Sequence, residues 1–220
     1  NRLMGNSLLD IIVFGRNAGI NAAEVAKNVT VGKLTLDHVE KFAKENEEEL
    51  GFWKFLQYEF NRQWKNLKNY ANERGIKIIG DLPIYVADDS SDVWASPELF
   101  DFDKERHPRN VAGVPPDYFS ENGQLWGNPI YNWKNIEKRG FTFWVNRLKY
   151  NSMLYDIIRI DHFRAFDTYW KIPASCPTAV EGEWVEAPGY ALFDTLYQLL
   201  PQINIVAEDL GDLRPEVLTL

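Results

Sequence analysis

The chain has 220 residues, 45% of them hydrophobic, with a formal net charge of −8 and a pI near 5.0. This is enough apolar material for a buried core, and the acidic balance argues against a nucleic-acid partner, which needs a clustered basic face. No apolar run reaches the ~20 residues of a membrane span, and the amino end lacks the basic, apolar and small-residue succession of a signal peptide. The single cysteine, Cys176, has no partner for an internal disulfide, which favours a reducing compartment such as a cytoplasm or, in a plant, a plastid.

Residues 1–50 carry few motifs; Glu24–Lys27 and Leu36–Glu49 read as helices, and we expect a mostly helical subdomain or insertion here. The run Leu8–Phe14 is short and interrupted by Asp10, and Glu45–Leu50 reads as a solvated helical face. From Phe52 the pattern sharpens: Phe52, Phe55, Leu56, Phe60, Trp64, Leu67 and Ala71 recur at three- and four-residue steps, predicting an amphipathic helix stopped by Gly75. A strand follows over Ile76–Gly80, its apolar run compatible with burial on both faces of a parallel sheet, and Asp81 closes it. The long stretch from Pro83 to Gly140 is rich in Pro, Gly, Asn, Asp and aromatics, far beyond the length of an ordinary α/β connection. A helix over Thr142–Tyr155 then leads to a strand over 155–161 ending at Asp161. After more irregular chain, a helix over Tyr190–Leu200 leads to a strand over 203–208 ending at Glu208. Residues 212–220 read as the start of a further helix. With Asn1 rather than Met at the front, this predicts an incomplete chain.

Helix–strand units in series fit an open doubly wound sheet or a closed barrel. Gly80 is followed by Asp-Leu-Pro rather than further glycines, so the phosphate turn of nucleotide-binding sheets is missing and the barrel is favoured. In a parallel barrel the carboxyl ends of the strands share one mouth, where acids distant in sequence converge. Asp81, Asp161 and Glu208 all stand at such ends. The competing reading of each is a helix cap or a surface ion pair, and for Asp81 a shaped turn before Pro83 is equally good. Arg159 lies two residues before Asp161, and strand alternation puts both on one face, where a guanidinium favours the ionised carboxylate. Glu208 has apolar residues before it and no adjacent cation, a setting suited to a protonable acid. One charged and one protonable carboxylate is the pair used by retaining glycoside-cleaving enzymes.

The long loop adds aromatic rings beside amides and acids, among them Tyr85, Trp94, Tyr118, Phe119, Trp126 and Trp133. Such rings stack on sugar faces or, equally, form a satellite core under the loop. Gly113-Val-Pro-Pro-Asp-Tyr-Phe-Ser120 looks least like core. His38, His107 and His162 have no ligand-spaced partners, and Asp88, Asp89 and Asp92 lack calcium-loop spacing and read as helix capping, so no metal is expected. A third reading, Asp81, Asp161 and Glu208 as ligands of a catalytic metal, predicts loss of activity with a chelator.

The motifs Gly80-Asp-Leu-Pro-Ile-Tyr-Val86, Asp92-Val-Trp-Ala95, Gly113–Ser120, Gly123-Gln-Leu-Trp-Gly-Asn-Pro129, Arg159-Ile-Asp-His-Phe-Arg164 and Ala207-Glu-Asp-Leu-Gly211 resemble the 4-alpha-glucanotransferases, or amylomaltases, in that family's order. The resemblance covers about Phe52–Leu220 and implies that residues 51–220 are part of a catalytic (β/α)8 barrel with long inserted loops, about strands 3 to 5. It implies transfer of alpha-1,4-glucan segments between malto-oligosaccharide donor and acceptor, without a cofactor, with Asp161 as nucleophile and Glu208 as general acid/base. Arg159, Asp81, Gln124, Trp126 and His162 would contact substrate, and Tyr118 and Phe119 would lie on the acceptor side. The family's third carboxylate, from a later His-Asp motif, has no counterpart before Leu220, and Ala165 replaces a common Gly. The alternatives are a non-catalytic glucan-binding fragment and an amylase-like hydrolase.

Overall fold

The computed structural model describes residues 37–209 and 215–220, so the expected helix at Glu24–Lys27, the run 8–14 and the His38 side chain lie outside the described residues. The chain divides into two compact units, residues 1–74 and 75–220. In the first, α1 (Asp37–Glu45) is followed by α2 (Glu47–Asn72), inside which residue 50 falls. The apolar period of α2 is the one read from the sequence. Phe60 stacks on Trp64 with ring centroids 6.1 Å apart, while Phe52, Phe55 and Leu67 stay exposed. Gly75, at φ +73, takes the left-handed conformation just beyond the helix, as glycine does most cheaply.

The second unit holds two sheets. Its elements are β1 (Ile79–Pro83), α3 (Ser91–Ala95), β2 (Asn110–Val114), β3 (Gln124–Pro129), α4 (Trp133–Lys138), α5 (Thr142–Leu154), β4 (Ile157–Asp161), β5 (Thr168–Pro173), β6 (Glu183–Glu186), α6 (Gly189–Leu199) and β7 (Ile205–Ala207). A 3-10 turn over Phe163–Phe166 follows β4. The parallel sheet runs β1-β4-β7, with Asp81 opposite Arg159, Pro83 opposite Asp161 and Ile160 opposite Ala207. Ile158 and Ile160 on β4 are buried against a core that includes Leu148 and Trp144 of α5 and Leu192 and Leu196 of α6. Each such side chain contributes about 1.5–3 kcal/mol by leaving water. The α/β reading therefore holds.

Three details differ from expectation. β1 starts at Ile79 rather than Ile76, buries alternate residues and runs on to Pro83, so Asp81 is its middle residue rather than its end. Before the strand, the Asp156 carboxylate accepts the Ile78 N–H at 2.8 Å and the Asp156 N–H donates to the Ile78 carbonyl at 2.9 Å, and the ladder begins beyond that knot; pairing with β4 then carries the strand past Asp81 to Pro83. Gly80 is required because a β-carbon there would run into the Tyr155 ring. The stretch 83–140, taken as loop, contains β2 and β3, which join β5 and β6 in an antiparallel sheet of order β3-β2-β5-β6. Finally, α3 is capped by Ser90, whose Oγ accepts the Val93 N–H at 3.3 Å, and not by the aspartates.

Candidate active site

Asp81 and Arg159 face one another across β1 and β4, and Asp161 follows Arg159 on the same face of β4. Arg159 uses the two arms of its guanidinium separately: Nη1 bonds Asp81 Oδ1, and Nη2 donates to Asp161 Oδ1 at 2.8 Å. The bond to Asp81 is the main cause raising the Arg159 pKa still further, with Asp161 adding to it, so the guanidinium is a fixed cation. The Asp161 carboxylate remains about half open to solvent and that of Asp81 more so, and Asp161 keeps its second oxygen free of Arg159. The same-face pair read from the i, i+2 spacing is present, with Asp81 as a third member.

Glu208 arrives from β7. Its backbone N–H donates to the Ile160 carbonyl at 3.1 Å, extending the parallel ladder one step past Ala207 and bringing Glu208 level with Asp161 on the neighbouring strand. Its Oε2 accepts the backbone N–H of His162 at 2.7 Å. His162 is left-handed, at φ 53, a conformation costing a non-glycine residue on the order of 1 kcal/mol. No sequence pattern shows this bond. Of the apolar residues before Glu208, Val206 and Ala207 are exposed.

The His162 ring leads to the aromatic wall. It meets Trp126 edge-to-face, centroids 4.8 Å apart, and Trp126 lies against Tyr85 at 6.2 Å; Tyr85 in turn stacks on Tyr131 at 5.9 Å. Trp126 Nε1 donates to Gln124 Oε1 at 3.1 Å, leaving the Gln124 amide N–H groups for other partners. Burial pushes the His162 pKa down to about 4, with Arg164 adding to the effect and Asp161 opposing it, and Nε2 is buried without a hydrogen-bond partner among the described residues. The ring is neutral at pH 7. Tyr85, noted in the sequence only as one ring of many, is the buried brace behind Trp126.

Tyr118 and Phe119 stand apart, 97% and 92% exposed. Asp117 Oδ1 accepts the N–H groups of Phe119 and Ser120 at 2.8 and 2.7 Å, so a short hydrogen-bonded turn holds the two rings out into solvent. No hydrogen bond or ring contact joins them to the acids among the described residues. The chemistry available is thus a fixed cation between two carboxylates, a third carboxylate on the next strand, and a wall of rings and amides beside them.

The 4-alpha-glucanotransferase family model matches residues 22–220. The chain belongs to the 4-alpha-glucanotransferase family. It is 53% identical over 183 residues to a 4-alpha-glucanotransferase of Clostridium butyricum, covering 83% of this chain and 38% of that protein. It is 56% identical over 170 residues to that of Thermus thermophilus, covering 77% and 34%. An amylomaltase from Streptococcus agalactiae, solved in complex with acarbose, superposes with a TM-score of 0.80 at 43% identity, covering 84% of this chain and 37% of that one. The chain therefore spans less than two fifths of the length of these family members. Ala165 is buried in the 3-10 turn after His162, and its N–H donates to the His162 carbonyl at 3.0 Å.

Proposed function

We propose that this chain supplies the nucleophile and the acid/base of a retaining 4-alpha-glucanotransferase, which moves alpha-1,4-glucan segments between malto-oligosaccharides. The observation that carries the proposal is the level pairing of Asp161 and Glu208 on neighbouring strands, with Arg159 fixed beside Asp161. Adjacent strands lie about 4.8 Å apart, so acids level on neighbouring strands can reach one glycosidic bond, as the pair of a retaining enzyme must.

In the first step Glu208 gives its proton to the glycosidic oxygen, the sugar C1–O bond breaks and the free oxygen of Asp161 bonds to C1. In the second, Glu208 takes the proton of an incoming 4-hydroxyl, whose oxygen displaces Asp161 and restores the alpha link. Arg159, bound to both Asp81 and Asp161, keeps the nucleophile aimed. Neutral His162, Gln124 and Trp126 bind the donor sugar, and Tyr118 and Phe119 stack on the acceptor, favouring transfer over hydrolysis by holding a sugar where water would attack. The ligand class agrees with the acarbose bound by the Streptococcus relative. Residues 51–220 belong, on this reading, to the catalytic barrel, with the earlier residues as a helical insertion, in a cytoplasmic or plastid protein. Incubating a complete enzyme carrying this segment with maltotriose tests it. Glucose plus a ladder of longer maltodextrins is expected; glucose and maltose alone would make it a hydrolase, and binding without turnover a glucan-binding module.

A further inference from the structure

A second cation, Arg164, stands three residues past Asp161 and has no part in the chemistry above. Its guanidinium carbon lies 3.8 Å from the centroid of the Trp184 ring, at stacking distance. Trp184 sits on β6, paired with Trp170 of β5, and the two indoles meet edge-to-face at 5.2 Å. Trp170 is itself fixed: its Nε1 donates to the Ala179 carbonyl at 2.9 Å, and Gly182 leaves it room, since a β-carbon there would strike the Trp170 ring. The antiparallel sheet thus presents a braced aromatic surface to Arg164.

Arg164 belongs to the 3-10 turn whose Phe163, Ala165 and Phe166 are buried in the core, and this turn starts at His162. The His162 N–H holds Glu208. One short path therefore runs from β6 through Trp184, Arg164 and the His162 peptide to the Glu208 carboxylate. We infer that the Arg164–Trp184 stack is a positioning device for Glu208, setting the left-handed turn at His162 so that its amide presents the acid/base to the glycosidic oxygen. The inference rests on the assignment of Glu208 above. Trp184 and Arg164 are positioning residues, neither of them touching sugar.

The test uses a complete enzyme and two substrates. Maltotriose needs its leaving oxygen protonated, whereas alpha-maltosyl fluoride, whose leaving group departs unaided, reports attack by Asp161 alone when fluoride release is followed over the first turnover. Trp184→Ala is expected to lower kcat on maltotriose about tenfold with KM within about twofold, and to leave first-turnover fluoride release within about twofold. Trp184→Phe, which keeps a ring, should recover most of the loss. Arg164→Met should reproduce it, and the double variant should be no worse than either single one. Equal losses on both substrates, a rise in KM alone, or additive losses in the double variant would overturn the inference. Glu208→Gln separates the two levels of the account: strong loss on maltotriose with fluoride release retained upholds the acid/base assignment, whatever Trp184→Ala does, and no such difference removes the assignment itself.

Discussion

The backbone N–H of His162 donates to Glu208 Oε2 at 2.7 Å, so the amide immediately after Asp161 holds the other proposed catalytic carboxylate. The two acids are tied through a single peptide rather than placed independently. Any change in the turn at His162 therefore reaches both, and the substitutions that best separate their roles keep the backbone bond.

Glu208→Gln is such a change, because its amide oxygen can still accept from His162 while the proton-transfer function is lost. We expect maltotriose disproportionation to fall by about 10²–10⁴-fold, the usual contribution of a positioned acid/base, with little change in melting temperature. Steady-state kinetics alongside thermal unfolding checks both halves.

Arg159→Lys is expected to fail as a conservative replacement. A lysine ammonium lacks the planar fork that lets one side chain reach Asp81 and Asp161 at once. The kcat/KM for maltotriose should drop by on the order of 10²-fold, while stability changes little because both ion pairs are open to solvent. Near-normal kcat/KM in the lysine variant would mean that the bridging geometry is dispensable.

The positions of Asp161 and Glu208 were legible because apolar runs ending in an acid mark strand ends, and the i, i+2 spacing of Arg159 and Asp161 fixes a shared face. The antiparallel sheet was not legible. β2 and β3 contain Gly113, Gly127 and Asn128, residues that read as loop, and the pair joins a sheet only because β2 bonds to β5, far along the chain. Thr168–Pro173 has the β-branched and aromatic content of a strand, yet it follows Asp161 so closely that it passed as connecting chain. Asp81 was placed at a strand end because the apolar run stops there, whereas pairing with β4, far along the chain, carries the strand on to Pro83. The left-handed His162 was not legible because, although histidine is enriched at positive φ, only a small share of histidines adopt it, and its bond to Glu208 joins residues far apart in sequence.

His162 makes stability depend on pH. Its folded pKa of about 4 lies below the ordinary 6.5, so between these values the unfolded chain binds a proton that the folded one does not. The contribution is fully present above pH 6.5 and is lost as pH falls towards 4, by up to roughly 3 kcal/mol. Urea unfolding measured from pH 4 to 8 should show this slope, and His162→Gln should flatten it.

Tyr118 and Phe119, being almost fully exposed, contribute little to folding, so Phe119→Ala should change the unfolding free energy by no more than about 0.5 kcal/mol. It should instead change the products, raising free glucose and maltose relative to longer maltodextrins as water replaces the acceptor. Chromatography of maltotriose digests gives the ratio; an unchanged ratio would free these rings from the acceptor role.

The central claim is covalent catalysis by Asp161. Treating a complete Glu208→Gln enzyme with alpha-maltosyl fluoride should load the nucleophile and leave it stranded, because the base that activates the acceptor is gone. Peptide mapping by mass spectrometry should then find one maltosyl group as an ester on Asp161. A sugar on another residue, or no adduct together with inverted product, would contradict the account.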